Sequence, residues 1–331
     1  MATLPCSALT YNSVFMENKS FEKTNFRAGL PRPTIFAASG LVLLAAIGLW
    51  VCSLMAVFLP SDQPMRITAL VNIAYYLPFI VLPIVLYGLK NRGLSDALRL
   101  NPVPVFPMLS VALLAIISTL FAGILSALWA GFLNLIGLSS DVGTIVPSNS
   151  GELMRFVIIA AAIPAVCEEL LFRGFVLSAW EVRGTKYAVI VSAILFSLMH
   201  GNIYGLPAYI FVGLVSGYLV FSLDSVYVGM IYHTVYNTAC LVMNYLTFSQ
   251  PAMEEAAASV AGTDIMGMVL AAALELIMGG VVIVMTLFTL KLRRKIMGIE
   301  PLPRTKQPLT LPERIMLVIS LIPMIAMIFI Q

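Results

Sequence analysis

Charge is scarce in this chain of 331 residues: Asp, Glu, Lys and Arg make up 11% of it, where an ordinary soluble domain carries about 25%. With 60% hydrophobic residues, that deficit excludes a water-soluble globular protein and leaves a polytopic membrane protein. The net charge of +3 is small, and the basic residues gather in loops without forming one face, so there is no nucleic-acid footprint. The four cysteines, Cys6, Cys52, Cys167 and Cys240, contain no CxxC spacing, which removes a disulfide framework and a thiolate metal site. They read as small apolar residues; Cys167 borders Glu168, but nothing in the sequence activates it. Histidine is scarcer still, with only His200 and His233, and neither stands in an HExxH helix. No internal repeat and no low-complexity tract is present.

What the chain has in abundance is long apolar runs. A transmembrane helix needs about 20 such residues, and runs fall at 34–59, 68–89, 106–138, 153–180, 186–200, 203–222, 225–246, 265–290 and 315–330. The fifth and ninth are short for a full span, so the expected fold class is an all-α polytopic membrane protein with about eight or nine transmembrane helices. The first run follows a polar leader holding Lys19, Lys23, Arg27 and Arg32 and is too long for a signal-peptide core, so it is expected to stay as an anchor.

Every second loop is basic. Lys90, Arg92 and Arg99 mark 90–105, Arg183 and Lys186 follow the fourth run, and 291–314 holds Lys291, Arg293, Arg294, Lys295, Arg304, Lys306 and Arg314. The loop at 60–67 has only Arg66, Arg155 alone precedes the fourth run, and 247–264 has Glu254, Glu255 and Asp264 with no basic residue. Short cytoplasmic loops are enriched in Lys and Arg, which predicts an integral protein of the cell membrane with a cytoplasmic N-terminus. The expected organisation is a cytoplasmic arm 1–33, accessory helices 34–150, a region 151–247 carrying the polar membrane residues, and C-terminal helices 248–331 with the basic loop 291–314.

Within that third region the sequence breaks its own rule. An ionisable group inside a bilayer costs about 2.5–3.5 kcal/mol even on lenient scales, yet Glu168, Glu169 and Arg173 share one apolar run. Glu169 and Arg173 are four apart and project from one helix face, so the arginine can neutralise one glutamate and leave the other to a cavity. Pro164 lacks an N–H for the Ala160 carbonyl and should loosen the helix one turn earlier. The bland alternative is a salt-bridged packing pair. Both histidines fall in later runs, where a lone imidazole is often an interhelical hydrogen-bond partner. Phe196 lies four before His200 and can pack beside its ring, and Asn237 lies four after His233, so imidazole and carboxamide point the same way.

At ~1.5 Å per residue, Glu168 lies ~18 Å, His200 ~21 Å and His233 ~12 Å from the basic side, close enough to meet at one level. A carboxylate that takes a proton from water, a histidine that orients the water or holds a metal, and a His/Asn pair for an oxyanion are the parts for hydrolysing an amide. No serine or cysteine stands as a nucleophile. Ser197 falls on a different face from His200, and Ser192 and Ser216 read as packing residues, so water is favoured. Glu275, in the eighth run, is either a buried hydrogen-bond partner or part of a substrate groove.

Three motifs carry a resemblance: Glu168-Glu169-Leu170-Leu171-Phe172-Arg173 is similar to EExxxR, Phe196-Ser197-Leu198-Met199-His200 to FxxxH, and His233-Thr234-Val235-Tyr236-Asn237 to HxxxN. Together and in this order they resemble the CPBP family of CAAX prenyl proteases and bacteriocin-processing enzymes, also called Abi, over 151–247. The resemblance implies an intramembrane endopeptidase with a catalytic core of four helices. Glu168 and His200 would activate water, His233 and Asn237 would stabilise the tetrahedral intermediate, and Glu169 and Arg173 would support them. It leaves two accounts open: a divalent metal such as zinc on Glu168, His200 and His233, or a metal-free water. Its substrates would be membrane-associated peptides or proteins, prenylated or bacteriocin-like. A non-proteolytic scaffold, a bacteriocin-immunity protein and, against the missing inverted repeat, a proton-coupled transporter are the alternatives.

Overall fold

In a bilayer every backbone polar group must be satisfied within the protein, so apolar runs of this length become helices. The computed structural model describes residues 32–58, 64–91, 95, 98–103, 105–138, 146–248, 265–296 and 307–330, and among them there are helices and no strand. We label them α1 (Ile35–Val57), α2 (Pro64–Tyr76, π-helical Leu77–Val81, then Leu82–Lys90) and α3 (Val105–Leu135). Next is α4, made of Ser150–Phe156, π-helical Val157–Ala162, Ile163–Glu169, π-helical Leu170–Val176 and Leu177–Trp180. Then come α5 (Thr185–Met199), α6 (Leu206–Leu223), α7 (Val226–Phe248), α8 (Ile265–Ile296) and α9 (Leu311–Ile330).

Each of the nine expected runs has its helix. α9 begins four residues before the expected 315, and α8 continues to Ile296. By length and composition, five spans among the described residues can cross a membrane: Ile35–Met55, Ile67–Lys90, Pro107–Leu135, Leu206–Leu223 and Leu311–Phe329. The helix Thr185–Met199 is shorter. Most of the arm 1–33, the loop residues 249–264 and 297–306, Cys6, and the side chain of Glu275 lie outside the described residues.

α4 is the centre. Residues 171–180 are all buried, including Phe172, Phe175 and Trp180, and a helix buried on every side belongs in the middle of a bundle. Large apolar side chains on the outer helices instead remain exposed, among them Leu274, Ile277, Val284 and Phe288 on α8 and Leu44, Ile47, Val51 and Leu54 on α1, as lipid contact requires. α7 packs along α4 and α3, α6 lies against α5 and α3, and α9 docks on α1, where the Trp50 indole N–H donates to the Pro323 carbonyl at 3.0 Å. α5 and α6 approach closely because position 213 is glycine: a Cβ there would sit 2.9 Å from the Ala193 Cβ.

Two of the three π-helical turns among the described residues, Leu77–Val81 and Val157–Ala162, stand just before a proline. Pro164 cannot bond back to Ala160, and the turn before it widens, with the Ile163 N–H reaching the Ile158 carbonyl five residues back. Pro83 stands in the same relation to the wide turn Leu77–Val81. Side chains from neighbouring helices bond to carbonyls of the wide turns of α4: Asn72 donates to Ile159 at 2.6 Å, and Ser192 to Phe172 at 2.7 Å.

A buried ionic cluster closes one end of the bundle. Arg99, 1% exposed, reaches Glu181 at 2.6 Å and Asp224 at 3.3 Å, and Arg32 reaches Glu181 at 3.2 Å. These residues stand before α1, before α3, at the end of α4 and at the α6–α7 junction. Arg99 and Asp224 are the two described non-glycine residues with positive φ, 58° and 57°. Asn101 donates to the Asp224 carbonyl at 2.8 Å, and the Val226 N–H to the Arg99 carbonyl at 2.9 Å, so the two strained turns hold each other.

Candidate active site

Glu168 and Glu169 leave α4 between its two wide turns and meet different surroundings. Glu169 is wholly buried. Its Oε1 lies 3.0 Å from an Arg173 guanidinium nitrogen and 3.2 Å from His233 Nδ1, and its Oε2 accepts a hydrogen bond from the Ser216 hydroxyl at 2.6 Å. Arg173, also wholly buried, donates to the Gly213 carbonyl at 3.2 Å. Removing one member of such a pair costs about 3–5 kcal/mol, because an uncompensated charge stays buried.

Glu168 has no arginine of its own and keeps 16% exposure. Its Oε1 accepts a hydrogen bond from the Tyr76 hydroxyl at 2.6 Å, and its Oε2 lies 4.0 Å from His233 Nε2. His233, 3% exposed, thus stands between the two carboxylates, one on each side of its ring.

His200 is not inside its helix as the sequence suggests; it is the C-cap of α5, immediately after Met199. Its Nδ1 is 2.9 Å from the Phe196 carbonyl, which can only accept, so Nδ1 carries the proton and Nε2 is the free nitrogen of the neutral ring. Tyr209 stacks on the same imidazole at 4.1 Å.

Phe196 does more than the packing beside His200 expected of it. Its ring meets His200 edge to face at 4.7 Å and His233 at 5.4 Å, and it lies beneath the Arg173 guanidinium at 4.3 Å and against Phe172 at 5.5 Å. One aromatic ring therefore holds three of the polar groups at fixed separations. Asn237 stands one turn beyond His233 on α7, half-buried. Pro164 is buried one turn before the glutamates.

The structure adds residues that sequence reasoning passed over. Ser216 is a hydrogen-bond donor to Glu169 and not simply a packing residue. Gly229, one turn before His233 on α7, leaves room for the Glu169 carboxylate: a Cβ there would lie 2.4 Å from Oε2. Position 229 lies at helical spacing from His233, which is a usable signal; Tyr76, far upstream in an accessory helix, left none. Cys167 is buried and free, and no cysteine among the described residues is paired.

Glu168, His200 and His233 are not gathered into a three-ligand cluster in this structure. Among the described residues no three His, Cys, Asp or Glu side chains are gathered so as to hold an ion. One Glu168 oxygen is taken by Tyr76, and His233 Nε2 stands 4.0 Å from the other.

Comparison with protein families then bears on the part of the chain that carries this geometry. Residues 150–239 match the family model described as type II CAAX prenyl endopeptidase Rce1-like. This segment is Rce1-like. It contains Glu168, Glu169, Arg173, Phe196, His200, Ser216, Gly229, His233 and Asn237, and it omits Tyr76 and all of α1–α3, α8 and α9. No curated protein and no solved structure matches the chain.

Proposed function

We propose that the protein is an intramembrane endopeptidase of the CAAX prenyl protease type, acting on a membrane-associated peptide or protein, prenylated or bacteriocin-like. The observation that carries this reading is the unequal fate of the two adjacent carboxylates. Glu169 is consumed by Arg173, His233 and Ser216, whereas Glu168 keeps one oxygen toward His233 and the partly open side of the site.

In the proposed reaction Glu168 takes a proton from water as the hydroxide oxygen bonds to the scissile carbonyl carbon, with His200 orienting that water through Nε2. His233 and the Asn237 carboxamide donate hydrogen bonds to the oxyanion of the tetrahedral intermediate. The C–N bond then breaks, and the proton held by Glu168 passes to the departing amine, leaving a carboxylic acid and an amine and returning Glu168 to its carboxylate. Glu169 and Arg173 keep His233 and α4 in place. No step is routed through a metal. Zinc on Glu168, His200 and His233 is the competing account, and the metal content of active protein decides between them.

The test is cleavage of a membrane-associated peptide by purified protein in detergent, with Glu168→Ala as the comparison. Loss of cleavage with an unchanged thermal midpoint supports the reading; full activity in that variant overturns it. We place the N-terminus in the cytoplasm of a cell membrane, from the basic loops.

A further inference from the structure

The matched segment supplies Glu168 with no hydrogen-bond donor at Oε1; α2 does. Tyr76 is the last residue before the wide turn Leu77–Val81, its ring is 7% exposed, and its hydroxyl lies 2.6 Å from Glu168 Oε1. A phenol buried at this depth needs a partner for its O–H, and an ionised carboxylate can only accept, so the donor is Tyr76. One turn earlier on the same face of α2, Asn72 donates to the Ile159 carbonyl in the first wide turn of α4. Two hydrogen bonds four residues apart therefore dock α2 on α4 on either side of Pro164.

We propose that Tyr76 is a positioning residue for Glu168, holding Oε1 so that Oε2 is the oxygen presented to water, and that the active site is thus completed by an accessory helix outside the Rce1-like segment. This rests on the reading of Glu168 as the base. A carboxylate fixed at one oxygen cannot rotate about its terminal torsion, and the lone pairs of the other oxygen stay directed at the reacting water. Without the phenol the same carboxylate samples orientations in which neither oxygen faces the scissile carbonyl, which lowers turnover while leaving substrate binding unaffected.

The test is a double-mutant cycle on full-length protein in detergent, using a membrane-associated peptide that the wild type cleaves. Tyr76→Phe removes one oxygen and lowers kcat by about tenfold to a hundredfold, at or below the low end of what a general base contributes because the base itself remains, with KM changed less than about threefold. In Glu168→Asp, whose shorter carboxylate cannot reach the phenol, the same Tyr76→Phe change costs less than about twofold. Equal losses in the two backgrounds overturn the proposal. Activities are normalised to folded protein by thermal unfolding, and Asn72→Ala, which removes the neighbouring bond between the same helices without touching Glu168, serves as the comparison. A kcat loss in Asn72→Ala as large as in Tyr76→Phe assigns the effect to helix docking and also overturns it. A wild type that cleaves nothing overturns the proteolytic reading and this one with it, whereas a cleaving wild type with a fully active Tyr76→Phe removes this one alone.

Discussion

Two clusters of buried charge stand out among the described residues, and they are built on opposite plans. At the end of the bundle, Arg32 and Arg99 face Glu181 and Asp224, two cations for two carboxylates, on turns strained to hold them. Along α4, one arginine faces two carboxylates, and a neutral phenol and an imidazole complete the set. The balanced cluster has no unmatched carboxylate left for chemistry; the unbalanced one leaves Glu168 without a permanent counter-ion. Burial alone does not separate them, since Arg99 and Arg173 are equally hidden. The count of charges does: Asp224 is 21% exposed and Glu168 16%, so exposure does not separate them either.

The sharpest break in that comparison is Glu168→Ala. It should reduce cleavage by on the order of 10³-fold, within the range for loss of a general base, and leave the thermal midpoint nearly unchanged, because the side chain removed is the one without an arginine. Arg173→Met should do the reverse of this in kind: with Glu169 stranded in the interior, unfolding free energy falls by about 3–5 kcal/mol, read from denaturant titration in detergent. Activity disappears only as far as the folded fraction does and as His233 loses its setting. Arg99→Met tests the other cluster. Its cost should be smaller, about 3 kcal/mol at the low end of the same range, because Arg32 still faces Glu181 and Asp224 is 21% exposed. Turnover per folded molecule should stay near the wild type. A catalytic defect in Arg99→Met with unchanged stability would erase the distinction between the clusters.

The site was more legible in the sequence than its supports. Glu168, Glu169, Arg173, His200 and His233 announce themselves because charge and histidine are rare and costly where they stand, and helical spacing pairs Glu169 with Arg173. All nine helices among the described residues follow from apolar runs that the bilayer forces into one conformation. The ion cluster at the bundle end left no such trace: Arg99, Glu181 and Asp224 lie in loops where charge is ordinary, and nothing local shows that distant turns converge. Tyr76 and Ser216 are hidden for a related reason, since a tyrosine or serine in a membrane helix is common and its partner is fixed only when helices pack. The apolar run continues through His200 and so predicts it inside α5, but the helix ends at Met199 and turns through Gly201 at φ 63°.

The smallest effects sharpen how Glu169 is kept out of the reaction. Gly229→Ala places a methyl group 2.4 Å from the Glu169 Oε2 and 3.0 Å from the Ser216 Oγ, so the carboxylate must move. Overpacking of this kind costs about 1–3 kcal/mol, and the displaced carboxylate should carry His233 with it and lower kcat as well. Ser216→Ala deletes one hydrogen bond to the same oxygen, a loss of about 1.5–3 kcal/mol for a charged acceptor, toward the lower end here because Arg173 and His233 hold the other oxygen. Its kcat should change less than that of Gly229→Ala, since removing a donor leaves the carboxylate where it stands. If Ser216→Ala instead impaired turnover as strongly as Glu168→Ala at unchanged stability, Ser216 would itself be taking part in the chemistry, and the division between a spent and a working carboxylate would have to be redrawn.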